Sequence, residues 1–586
     1  MKRKGLTRRK FIKGAAAASA AIMACQAFKA RASSSGGIRI ADLEENSQAV
    51  IYHLTIERRP ATVAQEPSRP ITINGSFPGP LIRLKEGKEA VIKVVNRMDE
   101  PTSVHWHGIL LPYQMDGVPG VVFPGIPPGG SFTYRFPVRQ AGTYWYHSHT
   151  GLQEQLGHYG PLICEPRQKE PFDWDREHIV LLSDWTFEEP EAVLMHLKKW
   201  EGYYNYHKRT IVDLFRDIGQ KGLSKTIKMR SMWARMRMNP RDIADVTGAT
   251  YTYLINGMGP EEGHVLPFRP GERIRLRIIN ASASTYFDLA IPGLKMTVVQ
   301  ADGQNVSPVP VDELRIAVAE TYDVLVEPDG KEAYAIFAAA MDRSGFALAS
   351  LSSDPVLKAK PPALGPVPER EIMGMTMMGS AAMQGDMAEK GAGHEMKKGM
   401  PDSPCGDCTP STTEDFPFGP DAAMIVREPK CMIGQPGLGL PSRKGAKALC
   451  YSDLKALDPM KEKEIDRRIE IHLTGNMERF IWKMFAWDGR AWSSKFHQLL
   501  DFPLSSRIEI VFVNHTMMDH PIHLHGMWMR LANGHDELAP KKHTINIKPA
   551  EKLCVQVDAD AFGNWAFHCH ILYHMHTGMF RVVRSC

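Results

Sequence analysis

Three stretches of this chain repeat one design. "AVIKVVNRM", "RIRLRIINAS" and "RIEIVFVNHT" each alternate apolar and polar residues and close on an asparagine: Asn96, Asn280 or Asn514. Each is followed by a second strand-like run: "GGSFTYRFPVRQAGTYWYHSH", "ETYDVLVEPDGKEAYAIFAAA" and "AEKLCVQVDADAFGNWAFHCH". Period-two alternation turns one face of a strand toward a core. Short strands between Pro/Gly turns are the pattern of β-sandwiches. A unit used three times predicts an all-β chain of three Greek-key sandwich domains, at 45–170, 175–355 and 465–586. A length of 586 residues suits several cores and is too long for one.

Two stretches break the pattern. Residues 187–245 have helical spacing and few β-branched runs, and predict a helical insertion in the second domain. Residues 356–460, rich in Pro, Gly, Met and charge, predict a long, partly disordered linker before the third.

The N-terminus, "MKRKGLTRRKFIKGAAAASAAIMACQAFKARASS", has a basic start, a small-residue apolar stretch and Ala30-Arg31-Ala32. It predicts an export signal over 1–32, and "TRRKFIK" resembles the twin-arginine type, which implies the twin-arginine translocation machinery as a partner. The apolar stretch is too short for a permanent span, and no later run is long enough either. Residues 1–32 hold nine Lys/Arg and no Asp/Glu, so the formal charge of +5 becomes about −4 beyond them. That leaves no global case for nucleic-acid binding. The expected product is a soluble protein outside the cytoplasm, in a bacterial periplasm, with no stable membrane insertion.

The histidines are clustered: "HWHG" (His105, His107), "HSH" (His147, His149), "HPIHLHG" (His520, His523, His525) and "HCHILYHMHTGM" (His568, Cys569, His570, His574, Met579). Alternation puts the members of each HxH pair on one face, giving eight imidazoles, half from each end of the chain. Cys569 then points away from His568 and His570, and His520 points away from His523. With His574 and Met579 they form a His₂Cys set with a weak Met, the ligand set of a blue-copper electron-transfer site. Cys569 lies between two histidines so that one strand touches two metal centres. Zinc fits less well, because a structural four-coordinate site has no use for eight clustered imidazoles.

These four motifs resemble those of the multicopper oxidases, and the resemblance spans the chain beyond the signal. "LLSDWTFEEPEAVLMHLKKWEGYYNYHKRT" and "IPGLKMTVVQADGQ" look like the oxidases of bacterial copper-resistance systems. The resemblance implies three cupredoxin-like domains, the second without copper, and four copper ions. His105 and His523 would hold type 2 copper. His107, His147, His149, His525, His568 and His570 would hold the type 3 pair, and His520, Cys569, His574 and Met579 type 1. It also implies one-electron oxidation of a donor at type 1 and four-electron reduction of O2 to water at the trinuclear cluster. Asp116, in "QMDGVPG", matches the family's acidic residue beside the cluster and is the candidate catalytic proton donor; a turn before Gly117 is its structural alternative. Many members of the family carry a carboxylate after the third histidine of the last motif, where this chain has Met575 and His576, so His576 is the candidate substitute.

Residues 372–400 contain eight Met and one His, interrupted by Gly. Thioethers suit Cu(I), so the segment reads as a cuprous-ion binding or delivery element, against a Met-biased linker. Met477, Met484, Met517, Met518, Met527 and Met529 lie near the type 1 motif in sequence, some as core and some as a route for Cu(I). "CGDC" (Cys405, Cys408) fits a metal site or a disulfide, and the pairing of the cysteines is not fixed by their spacing. The expected substrates are Cu(I) and O2, with phenolic donors as a further class and periplasmic copper-handling proteins as partners. A copper-sequestering protein with secondary oxidase activity and a general laccase are the alternatives. A copper nitrite reductase would leave the type 3 histidines unused.

Overall fold

The computed structural model describes residues 38–586, apart from 201, 331–332, 372–374, 378–404, 406–407, 409, 411–415 and 417–418. The export signal and most of the Met-rich segment lie outside the described residues.

Residues from Ile38 onward form one compact unit built of three pairs of larger sheets and two two-stranded ribbons. In the first pair, Glu89–Asn96 runs parallel to Ala49–Arg58 and antiparallel to Ser131–Pro137. In the second, Ile274–Asn280 runs parallel to Arg176–Thr186 and antiparallel to Thr321–Val326. In the third, Arg507–Asn514 runs parallel to Arg467–Asn476 and antiparallel to Lys552–Asp558. The repeated sequence unit is therefore a repeated topology, and the cupredoxin-like all-β reading holds.

The asparagines close each unit in the same way. Asn96, Asn280 and Asn514 are all 0% exposed. Each side-chain oxygen accepts from the backbone N–H two residues on, at Met98, Ser282 and Thr516. Each Nδ2 donates to a nearby turn carbonyl and to one about thirty residues later: Ile126, Ile316 and Ile547. A carboxamide can donate twice while accepting, so Asn pins a strand end to a distant turn with no buried charge.

The helical insertion is present, as Pro190–Lys199, Ile211–Lys221 and Leu223–Arg235. It leaves the sheet at Arg176–Thr186 and returns at Tyr251–Ile255, which pair directly. The expected linker differs from its prediction over 420–460. Met424–Val426 pairs with Met375–Met377, and Ile433, Leu449 and Leu454 are buried in the main core. Tyr451 donates to Glu320, and Asn533 holds the carbonyls of Tyr451 and Leu454. Pro and Gly, which break any apolar period, hid a strap held by buried apolar side chains and long-range polar contacts. The CGDC cysteines form disulfides with separate partners, Cys405–Cys431 and Cys408–Cys554, while Cys164, Cys450, Cys569 and Cys586 are free thiols.

Candidate metal centre

Strand pairing brings the histidines together. His105 lies opposite His147 in the first unit, and His523 opposite His568 in the third. The two sets then face each other. His107 stacks on His523 at 3.8 Å and His105 on His525 at 3.9 Å, between ring centroids. His149 Nε2 and His525 Nε2 lie 3.3 and 3.1 Å from His568 Nε2. Glycine follows two of the pairs because the backbone there is crowded. Gly108 and Gly526 have φ of +79° and +70°, and a Cβ on either would lie 2.4 Å from His543 or Trp565.

The hydrogen bonds fix which nitrogen faces inward. His105, His147, His523 and His568 donate from Nδ1 to the carbonyls of Asp116, Ser148, His543 and Cys569. His525 donates from Nδ1 to Asp116 Oδ2 at 2.8 Å. A carbonyl only accepts, so the Nε2 of each must be a lone pair. His107 is the reverse. Its Nε2 contacts His543 Nδ1 and Thr544 Oγ1 at 3.1 and 3.3 Å, which leaves Nδ1 free.

Five of the inward atoms have no hydrogen-bond partner: Nε2 of His105, His147, His523 and His570, and Nδ1 of His107. Each bare buried nitrogen costs about 1–3 kcal/mol. Two inward Nε2 lone pairs, those of His525 and His568, face each other at 3.1 Å, which is repulsive without a cation. Burial and the neighbouring imidazoles hold His107, His147, His149, His523, His525 and His570 well below the usual histidine range. Burial lowers His568 to about 4. Neutral, inward-facing and unpartnered imidazoles are the donor set that a metal cluster requires.

A second set lies on the other face of the same strand. Cys569 Sγ is 3.6 Å from His520 Nδ1 and 3.7 Å from His574 Nδ1, and those two nitrogens are 3.2 Å apart. His520 donates from Nε2 to Thr516 Oγ1 and His574 from Nε2 to Asp245 Oδ2, each at 2.7 Å. Both Nδ1 atoms are therefore lone pairs turned on one thiol. Met579 is fully buried, and its backbone bonds both Cys569 and His574. Trp482 covers the His574 ring at 3.9 Å. Cysteine, histidine and methionine together are the donors of a blue-copper site. Multicopper oxidase family models match residues 55–169, 176–353 and 463–585, one per sheet pair.

The chain belongs to the multicopper oxidase family. It is 46% identical to copper resistance protein A of Escherichia coli, over 99% of both chains. It is 47% identical to a copper resistance protein A homolog of Pseudomonas syringae pv. tomato, over 91% of this chain and 92% of that one. The laccase of Botrytis aclada shares the fold, with a TM-score of 0.59 at 20% identity, over 92% of this chain and 88% of that one. Copper is accordingly the cofactor of this oxidoreductase, and both donor sets fit it.

The structure adds residues to this multicopper oxidase that the sequence did not announce. Glu154, 2% exposed, has Oε2 at 2.8 Å from His147 Nδ1 and Oε1 at 4.0 Å from His570 Nδ1. Burial, with Asp184 nearby, pushes its carboxyl well above the usual range. Seven residues beyond His147, in "HTGLQEQ", it carried no spacing signal. His543 orients His107 with its side chain and His523 with its carbonyl, and Asp302 of the second unit accepts from its backbone N–H. Asp116 faces His525 with a 1% exposed side chain. His576 is exposed and lines an open cleft with His149 and Phe580.

The methionines divide. Met484, Met527 and Met529 are core. Met477 and Met517 join Met236, Met238, Met424 and Met432 around Trp233. Met518 lines a pocket with Asp245, Met341, Asp342 and Asp519, and Asp245 of that pocket holds His574.

Proposed function

We propose that this protein is an exported, periplasmic oxidase of copper resistance, which oxidises Cu(I) and reduces O2 to water. The observation that carries the reading is the placement of Cys569. Its thiol faces His520 and His574, while its chain neighbours His568 and His570 face the eight-imidazole cluster. When bound, copper supplies one-electron transfer from the donor to O2, four electrons for each O2 taken to two waters. His520, Cys569, His574 and Met579 would hold the type 1 ion. His105 and His523 would hold type 2, and His107, His147, His149, His525, His568 and His570 the type 3 pair.

The chain's own groups do the remaining work. Carbonyls and Asp116 orient the imidazoles, so little reorganisation accompanies electron transfer. Asp116 spends Oδ2 on His525 and leaves Oδ1 without a hydrogen-bond partner, which is the atom that can pass a proton to the cluster. Glu154 supplies a second buried carboxyl, beside His147. Around the donor site, His574 is fully buried, so no flat aromatic donor reaches its edge. The thioethers of Met341 and Met518 in the adjoining pocket favour a small soft cation instead. The relatives named for copper resistance support the same substrate.

The test is O2 uptake by the copper-loaded protein supplied with Cu(I), against Cys569→Ser. Fast uptake that the substitution abolishes supports oxidation through type 1. Equal uptake by both proteins, with copper still bound, would move the reading to sequestration.

A further inference from the structure

Helix Ile211–Lys221 turns its charged acids inward and its apolar residues outward. Thr210 caps it with a reciprocal bond to Asp213. Asp213 is buried on Arg241, and Asp217 on Arg230 at 3.0 Å. The outward face carries Ile211, Val212 and Phe215, exposed by 69%, 70% and 68%. The next helix, Leu223–Arg235, adds Leu223 and Ile227 one turn apart, exposed by 57% and 55%. Single exposed apolar residues are ordinary, but five within one helical hairpin mark a contact surface.

The charges say what the surface contacts. Arg216, Lys221, Lys225, Lys228, Arg235 and Arg237 are exposed on the same hairpin and the turn after it; Arg216 and Lys221 pair with Asp213 and Asp217, and Arg237 with Glu478. Between residues 202 and 241 the only acids are Asp213 and Asp217, and both are buried. The surface is therefore basic and apolar together, on a chain that is acidic overall beyond residue 32. Apolar side chains one turn apart among flexible cations match a bilayer boundary with anionic headgroups. An acidic protein partner would use the cations but has no comparable need for isolated aliphatic side chains without a groove.

We propose that the hairpin 211–237 docks the protein on an anionic membrane surface, as a peripheral contact. The same insertion continues into Ile243–Val246, which line the pocket beside His574. Docking would thus hold the donor pocket near the bilayer, whatever that pocket oxidises.

The test is flotation of the chain lacking residues 1–32 with vesicles of phosphatidylcholine, with or without phosphatidylglycerol. Binding is expected only with the anionic lipid and is expected to fall steeply with added salt. The pair Phe215→Ser and Ile227→Ser, and separately Lys225→Glu with Lys228→Glu, should each cut bound protein about tenfold, with oxidase activity unchanged. No flotation, equal binding to neutral vesicles, or full binding by both variants would overturn the proposal. So would light scattering that shows the face buried in a dimer, or lipid-independent capture by an acidic protein.

Discussion

At the scale of single residues, the centre depends on which nitrogen each histidine presents. A carbonyl behind Nδ1 commits His105, His147, His523 and His568 to one tautomer before any metal arrives. His107 breaks the rule because His543 stands behind its Nε2. Asp116 reaches two of the cluster's rings, at 2.8 Å from His525 Nδ1 and 3.3 Å from His105 Nδ1. Its two proposed jobs separate on substitution. Asn at 116 can still accept from His525 but cannot deliver a proton as a carboxylic acid does. Asp116→Asn should therefore keep its copper and its type 1 absorption, while turnover falls on the order of 10²-fold. Asp116→Ala should lose cluster copper as well, measured by metal analysis. Full turnover in the Asn variant would leave Asp116 as an orienting group alone.

At the scale of elements, the asparagine that ends each central strand is the fold's recurrent joint. Asn280 tests it best, because the second unit holds none of the proposed copper ligands. Its side chain accepts from Ser282 and donates to Thr285 and Ile316, all buried. Asn280→Ala removes those bonds and strands two carbonyls, so a loss of about 2–4 kcal/mol is expected. Chemical denaturation should show that loss with copper content unchanged. These strands were legible because alternation and Asn are local signals. The HxH pairs were legible for the same reason, since period two fixes a shared face. Glu154, His543 and Asp245 were not. Each reaches its histidine from a turn or from another unit, and Asp245 lies 329 positions from His574. The strap over 420–460 was missed on similar grounds, since its anchors are Glu320 and Asn533 rather than a periodic apolar face.

At the scale of the whole molecule, buried polar groups join the units alongside a shared apolar core. Lys542 of the third unit is fully buried against Asp302 and Glu320 of the second, at 3.0 and 3.1 Å. Such a molecule should respond to acid through groups that burial keeps neutral. His158 and His264 are two that lie outside the proposed ligands. Burial lowers His158 to about 3, and burial with His178 nearby lowers His264 to about 4. The unfolded chain protonates both near the ordinary value of about 6.5. Below that pH the unfolded state binds more protons than the native one, so stability is full above about 6.5 and declines as pH falls. The decline continues until each native value is passed, at about 4 for His264 and about 3 for His158. Each contributes a slope of up to about 1.4 kcal/mol per pH unit. Denaturant unfolding of the metal-free protein between these limits should show that slope. His158→Gln should flatten it by one histidine's share, because glutamine keeps a polar partner for Thr102 but takes up no proton. An unchanged slope would mean that His158 is already charged in the native state, against its burial.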